Sequence, residues 1–205
     1  MLRQHILASR DGKQMFKTLD TVHKNKIDPR VVRTRRLLLD SFTVLLDRYK
    51  AIRAISVQSI AEEAGVNRAT FYAHFTDKYE LMAIWKRELF REALVSKLLD
   101  NQNAENVSFE QLIDTVLEFM ISYRRYFRRV NRQYEPLFEA VLQQELKTVI
   151  SAILEKSSHQ QEPETATFLS WAIFGSANEW SRELKDQSKK DITKQLLTLT
   201  NLVAR

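Results

Sequence analysis

Residues 56–81 read SVQSIAEEAGVNRATFYAHFTDKYEL, and the local signals in this stretch organise everything around it. Ser56 is a good N-cap for a short helix over residues 57–63. Gly65 follows at the position where a positive φ is usual, which glycine adopts without a Cβ penalty. Asn67 caps a second short helix over 68–74, and Asp77-Lys78-Tyr79-Glu80 is spaced as a capping box that opens a third. Ala61 is small enough for the first two helices to cross closely. Ile60, Val66, Phe71 and Phe75 fall where that pair would pack onto a preceding helix. Asn67, Arg68, Thr70, Tyr72 and His74 then face outward, with Lys78 beside them. These types suit a nucleic-acid duplex. Arg can grip guanine O6 and N7, Thr offers a hydroxyl or a methyl, and Tyr and Lys reach phosphates. The helix-Gly-helix pattern alone also fits a plain helical hairpin with a polar surface.

Working outward, Asp28-Pro29 reads as an N-cap followed by proline at the first helical position. From there Val32, Leu38, Phe42, Leu45, Leu46 and Tyr49 recur at three- and four-residue steps, the stripe of an amphipathic helix. Downstream, Leu81, Ile84, Trp85, Phe90 and Leu94 carry the third helix to about residue 99. Residues 101–107 are polar and read as a linker. Ser108 caps a helix marked by Leu112, Val116, Phe119 and Met120 and extending toward Arg132. Pro136 opens a segment with Leu137, Phe138, Val141 and Leu142, and residues 146–154 form a further apolar run. After a polar loop at 157–162, Pro163 opens a helix striped by Leu169, Ile173, Ala177, Trp180 and Leu184. Ser188 with Asp191 is spaced as a second capping box before a last helix marked by Ile192, Leu196, Leu199 and Val203. No segment alternates with period two for long. The expectation is an all-α chain of about nine helices. It divides into an N-terminal extension (1–28), a helix-turn-helix unit suited to a nucleic acid (29–80) and a further helical domain (81–205). Helix 81–99 connects the last two. The extension is basic and weakly patterned and is expected to be poorly ordered, with a helical turn or two around Met15–Leu19.

Composition sets the outer limits. The 205 residues include 44% apolar types, three Gly, three Pro and no Cys. That scarcity of turn formers favours long helices, and disulfides, thiol nucleophiles and Cys-ligated metals are excluded. No apolar run approaches the length that spans a bilayer, and the first residues lack a signal-peptide core, so a cytoplasmic protein is expected. The net charge of +6 is uneven: residues 1–100 hold 19 Lys and Arg against 12 Asp and Glu, the rest 13 against 14. A polyanion would therefore bind the N-terminal half.

Three segments, RTRRLLLDSF from Arg33, ISVQSIAEEAGVNRATFYAHF from Ile55 and TDKYEL from Thr76, closely resemble the TetR family of bacterial transcriptional regulators. The family's alanine-glycine-valine turn is Ala64-Gly65-Val66 here, and its tyrosine-x-x-phenylalanine ending is Tyr72-Ala73-His74-Phe75. Asn67 stands where many members have Ser or Thr, and Thr70 and Phe71 replace the usual small residue and leucine. The resemblance implies base contacts from Arg68 and Thr70, with Asn67 and Ala69 nearby. It implies phosphate contacts from Tyr72, His74, Lys78 and Ser56, assisted by Arg33 and Arg36; His74 fits a bare surface histidine equally well. The partners implied are a palindromic double-stranded operator and a second copy of the chain, with repression as the commoner outcome.

In the second half the resemblance extends only to helical layout. It implies dimerisation through the last two helices, where Ala172, Gly175 and Ser176 allow close approach and Trp171, Phe174 and Trp180 supply area. It also implies a pocket for a small-molecule effector, for which Phe119, Met120, Tyr123, Phe127 and Phe138, with Trp171, are apolar enough; each also fits ordinary core. Residues 124–132 hold Arg124, Arg128 and Arg132 on one face, with Arg125 and Arg129 beside them. That cluster suits an anionic ligand, an acidic partner or a solvated face. Two other functions compete. A non-specific nucleic-acid binder would not need the nearly neutral second half. An all-α enzyme lacks a metal motif, and Glu118, Glu135 and Glu139 make no catalytic pair. No cofactor, metal or membrane partner is expected.

Overall fold

The computed structural model describes residues 28–99, 108–127, 135–156, 163–183 and 188–203. They form eight α-helices and one 3-10 turn, with no strand among the described residues. Residues 1–27 of the expected extension, the 101–107 linker, the 157–162 loop and Leu184 lie outside them.

Helix α1 (Pro29–Tyr49) starts where predicted: Asp28 accepts from the Arg30 amide at 2.8 Å, and the proline sits in the first turn. Its inner face is Leu38, Leu39, Phe42, Leu45 and Leu46. Val32 and Tyr49, counted into the same stripe, are exposed. It stops at Lys50, which adopts the left-handed conformation (φ 55°) and donates its amide to Leu46 O. A 3-10 turn (Ile52–Ala54) follows, and Ile52 and Ile55 are buried.

Helices α2 (Val57–Glu63) and α3 (Arg68–Tyr72) come next, then α4 (Lys78–Leu99). α3 ends two residues earlier than expected, and Ala73 closes it. The cap of α4 also differs from the predicted box. Asp77 accepts from the Tyr79 and Glu80 amides, at 2.7 and 2.8 Å. Glu80 reaches past Asp77 to the amide and hydroxyl of Thr76 instead.

α4 joins the two halves of the core. On one side the Trp85 indole N–H donates to Thr43 Oγ1 at 2.8 Å, and its ring meets Phe42 edge-on at 5.5 Å. Glu88 and Glu92 pair with Arg36 of α1. On the other side Phe90 packs on Phe119, ring centroids 4.8 Å apart, and the Lys86 ammonium lies 5.3 Å from the Tyr123 ring.

The second half comprises α5 (Phe109–Phe127), α6 (Glu135–Lys156), α7 (Pro163–Glu183) and α8 (Lys189–Val203). α5 opens on a reciprocal box between Ser108 and Gln111, and the helix is described only as far as Phe127, so its extension to Arg132 lies outside. The two runs expected at 136–142 and 146–154 are one helix, α6. Polar Gln143, between them, is buried and donates to Ser170 Oγ of α7 at 2.8 Å, so the helix need not break to solvate it. α7 packs on α5, α6 and α8. α8 opens with Ser188 accepting from the Asp191 amide and donating to its carboxylate. Lys189 and Thr193 then tie it to Glu118 and Asp114 of α5, at 2.6 and 2.7 Å.

Candidate nucleic-acid interface

The α2–turn–α3 unit is assembled from local caps and a small set of buried side chains. Ser56 and Ser59 form a reciprocal box, each hydroxyl accepting the other's amide at 3.0 Å. Ile60 and Ala61 are buried, so α2 sits closely on α1. The turn requires Gly65 for its backbone. Its φ is +66°, yet an added Cβ would meet nothing within 4 Å. The amides of Gly65 and Val66 donate to Glu62 O and Ala61 O, closing the end of α2.

Asn67 caps α3 as predicted, its side-chain oxygen accepting from the Ala69 amide at 2.9 Å. Phe71 and Phe75 hold the helix down, with ring centroids 5.6 Å apart, while Val66 is half-buried against the core. Sequence reasoning missed the cover over Phe75: the Arg35 guanidinium of α1 lies 4.9 Å from that ring. The partners are forty residues apart, and no local pattern links them.

The outer face of α3 carries Asn67, Arg68, Ala69, Tyr72 and Ala73, all exposed; Thr70 and His74 are half-buried. Ala73 had not been singled out, although it follows Ala69 by one helical turn. Two small exposed residues in line leave the backbone approachable. Arg68 folds back along the helix. Its guanidinium lies 5.5 Å from the Tyr72 ring and donates to the Tyr72 hydroxyl at 3.2 Å.

The remaining candidates separate. Arg33 is exposed and Ser56 lies at the start of α2, exposed. Arg36 is drawn to the other side of α1, within 3.4–3.7 Å of Asp40, Glu88 and Glu92. Lys78 turns inward: its ammonium donates to Ile52 O at 3.1 Å and Ile55 O at 2.6 Å, fastening the start of α4 to the turn before α2.

In the second half, the residues assigned to the dimer surface split between two faces of α7. Phe174 is only 2% exposed and belongs to the monomer core, a correction to the sequence assignment. Trp180 is half-buried against that core, and Ala172 and Ser176 are half-buried. Trp171 and Gly175 face outward, joined by Phe168, which the sequence reading passed over; Trp171 is 55% and Phe168 59% exposed. Leu199, Leu202 and Val203 of α8 are exposed as well.

Of the pocket candidates, Phe119, Met120 and Tyr123 are buried in the core, and the Phe127 and Phe138 side chains lie outside the described residues. A cleft of about 410 Å3 opens elsewhere, between Tyr79, Ala83, Ile84 and Arg87 of α4 and Val141 of α6. Arg124 is committed to the interior. It donates to Ser181 Oγ and Asn178 Oδ1 of α7, each at 2.6 Å. The other arginines of that cluster lie outside the described side chains. Among the described residues no group of His, Asp and Glu is arranged to hold a metal, and no helix is long and apolar enough to cross a membrane.

Residues 49–83 match the family model described as bacterial regulatory proteins, tetR family. Over that stretch the helix-turn-helix is similar to that of the TetR family. An uncharacterized HTH-type transcriptional regulator of Haemophilus influenzae is 27% identical over 140 residues, 63% of this chain and 66% of that one. The uncharacterized HTH-type transcriptional regulator YxbF of Bacillus subtilis is 37% identical over 59 residues, 29% of this chain and 16% of the relative. The chain thus spans less than two thirds of the length of either relative. A solved structure, titled as that of the fatty acid degradation regulator FadR from Bacillus halodurans, overlaps 88% of this chain and 97% of its own, at 16% identity and a TM-score of 0.43.

Proposed function

We propose that the chain is a sequence-specific DNA-binding transcription regulator that reads a palindromic operator as a homodimer, with α3 in the major groove. The observation that supports this best is the division of α3. Phe71 and Phe75 are buried while Asn67, Arg68, Ala69 and Tyr72 are exposed, on a TetR-type helix-turn-helix. Arg68 and Thr70 take the base edges, and Tyr72, His74, Ser56 and Arg33 the backbone. Lys78 acts chiefly by holding the turn before α2, with one N–H left for a phosphate. Arg36 is left out of this surface, since three carboxylates hold it on the α4 side.

Residues 29–80 form the reading unit and 81–205 the dimerising and sensing unit, with α4 shared between them. The exposed face of α7 and α8, centred on Phe168, Trp171, Leu199 and Leu202, pairs with its symmetry mate. The regulator acts as a repressor released by a small-molecule effector or a partner, and no catalytic step is assigned to it.

Selection of bound sites from random DNA by the purified protein tests the reading. The expected product is an inverted repeat whose half-sites are about 34–36 Å apart, or a multiple of that. Recovery of no consensus, with specific and random DNA sharing one salt dependence, would mean non-specific binding and end the proposal.

A further inference from the structure

We infer that Tyr72 is a positioning residue for base discrimination, acting through Arg68, in addition to any backbone contact it makes. The inference rests on the proposed DNA-reading role of α3. Three observations carry it. Tyr72 is exposed, so an ordinary surface tyrosine would be free to sample several rotamers. Its ring instead lies edge-on against buried Phe71, centroids 5.5 Å apart at 84°, which ties it to the core. Arg68 then rests on this fixed ring and donates Nη2–H to the hydroxyl at 3.2 Å.

An arginine at the first position of a short helix has many rotamers, and ordering it on a base edge is entropically costly. Tyr72 removes much of that freedom beforehand and directs the guanidinium toward the second turn of α3. A phenolic oxygen both accepts and donates. While it accepts from Arg68, its own O–H remains available for a phosphate. The base-reading fork and the backbone contact are thereby held in one geometry. The stack strengthens when DNA excludes water from it, as cation–π contacts do on desolvation.

The test uses the full-length protein and the operator selected above, together with all single-base variants of one half-site. Binding is measured for the parent protein, Tyr72→Phe, Arg68→Ala and the double variant. Tyr72→Phe keeps the ring on Phe71, and thermal melting of the free protein verifies that it is folded. Arg68→Ala identifies the base pair that Arg68 reads. At that position, Tyr72→Phe should lower discrimination between the preferred base and the others by about tenfold, the lower end of what one hydrogen bond to a charged group supplies. Elsewhere preferences should stay as they were. In the double variant, Tyr72→Phe should add no further loss of discrimination. A uniform loss of affinity at every base would mean a phosphate contact alone and overturn the inference. So would strictly additive losses in the double variant. If the parent protein selects no operator, the DNA-reading proposal fails first, an outcome distinct from either of these.

Discussion

At the scale of single residues, two positive φ angles make opposite predictions. Gly65 (φ +66°) has empty space where a Cβ would go, so Gly65→Ala should be costly for backbone reasons only, by about 1–2 kcal/mol. Lys50 has the same kind of backbone (φ 55°) without being glycine. Lys50→Gly should therefore raise stability by about 0.5 kcal/mol, after losing the exposed pair with Asp47. Urea unfolding of the two variants should show opposite signs. Lys78 separates two roles that its sequence position could not. A lysine that touched only phosphate would leave the free protein's stability unchanged. Because this one donates to Ile52 O and Ile55 O, Lys78→Met should cost about 1–2 kcal/mol with no DNA present. An unchanged melting curve would return Lys78 to a purely DNA-facing role. The difference in legibility is physical. Caps and the glycine turn follow from neighbours within four residues, whereas the Lys78 acceptors lie 26 and 23 residues away.

At the scale of helices, the boundaries set by Asp28, Ser56, Asn67 and Ser108 could be read in advance, because each N-cap is a contract between a side chain and the next three amides. The single helix α6 could not. Its two apolar runs are joined through Gln143, whose partner, Ser170, lies on another helix. Arg124 is the same case with a charge. Four-residue spacing suggested an outward basic face, but its guanidinium fastens α5 to the last turns of α7. Arg124→Ala should thus cost about 2 kcal/mol in thermal or chemical unfolding. A change below about 0.5 kcal/mol would show the contact to be superficial. Helix α7 explains why the proposed dimer surface was only partly legible. It is apolar on two sides, and its own sequence does not say which side the core takes. Phe174 went inward with Ile173 and Ala177, leaving Phe168 and Trp171 outside.

At the scale of the molecule, the surplus positive charge and the helix-turn-helix share one half, while in the other half the exposed large apolar residues among those described lie on α7 and α8. If that second surface joins two copies, Trp171→Glu combined with Leu202→Glu should halve the mass measured by sedimentation. It should also weaken operator binding while leaving the helical content of the chain intact. A chain of unchanged mass would put the interface elsewhere. The seam between the halves carries one more consequence. The chain has three tryptophans. Trp85 alone lies at the junction of α1 and α4, its indole N–H held by Thr43 and its ring against Phe42. With the other two replaced by phenylalanine, its near-ultraviolet emission becomes a built-in gauge of that junction: blue while the indole stays dry, and red-shifted as soon as water enters.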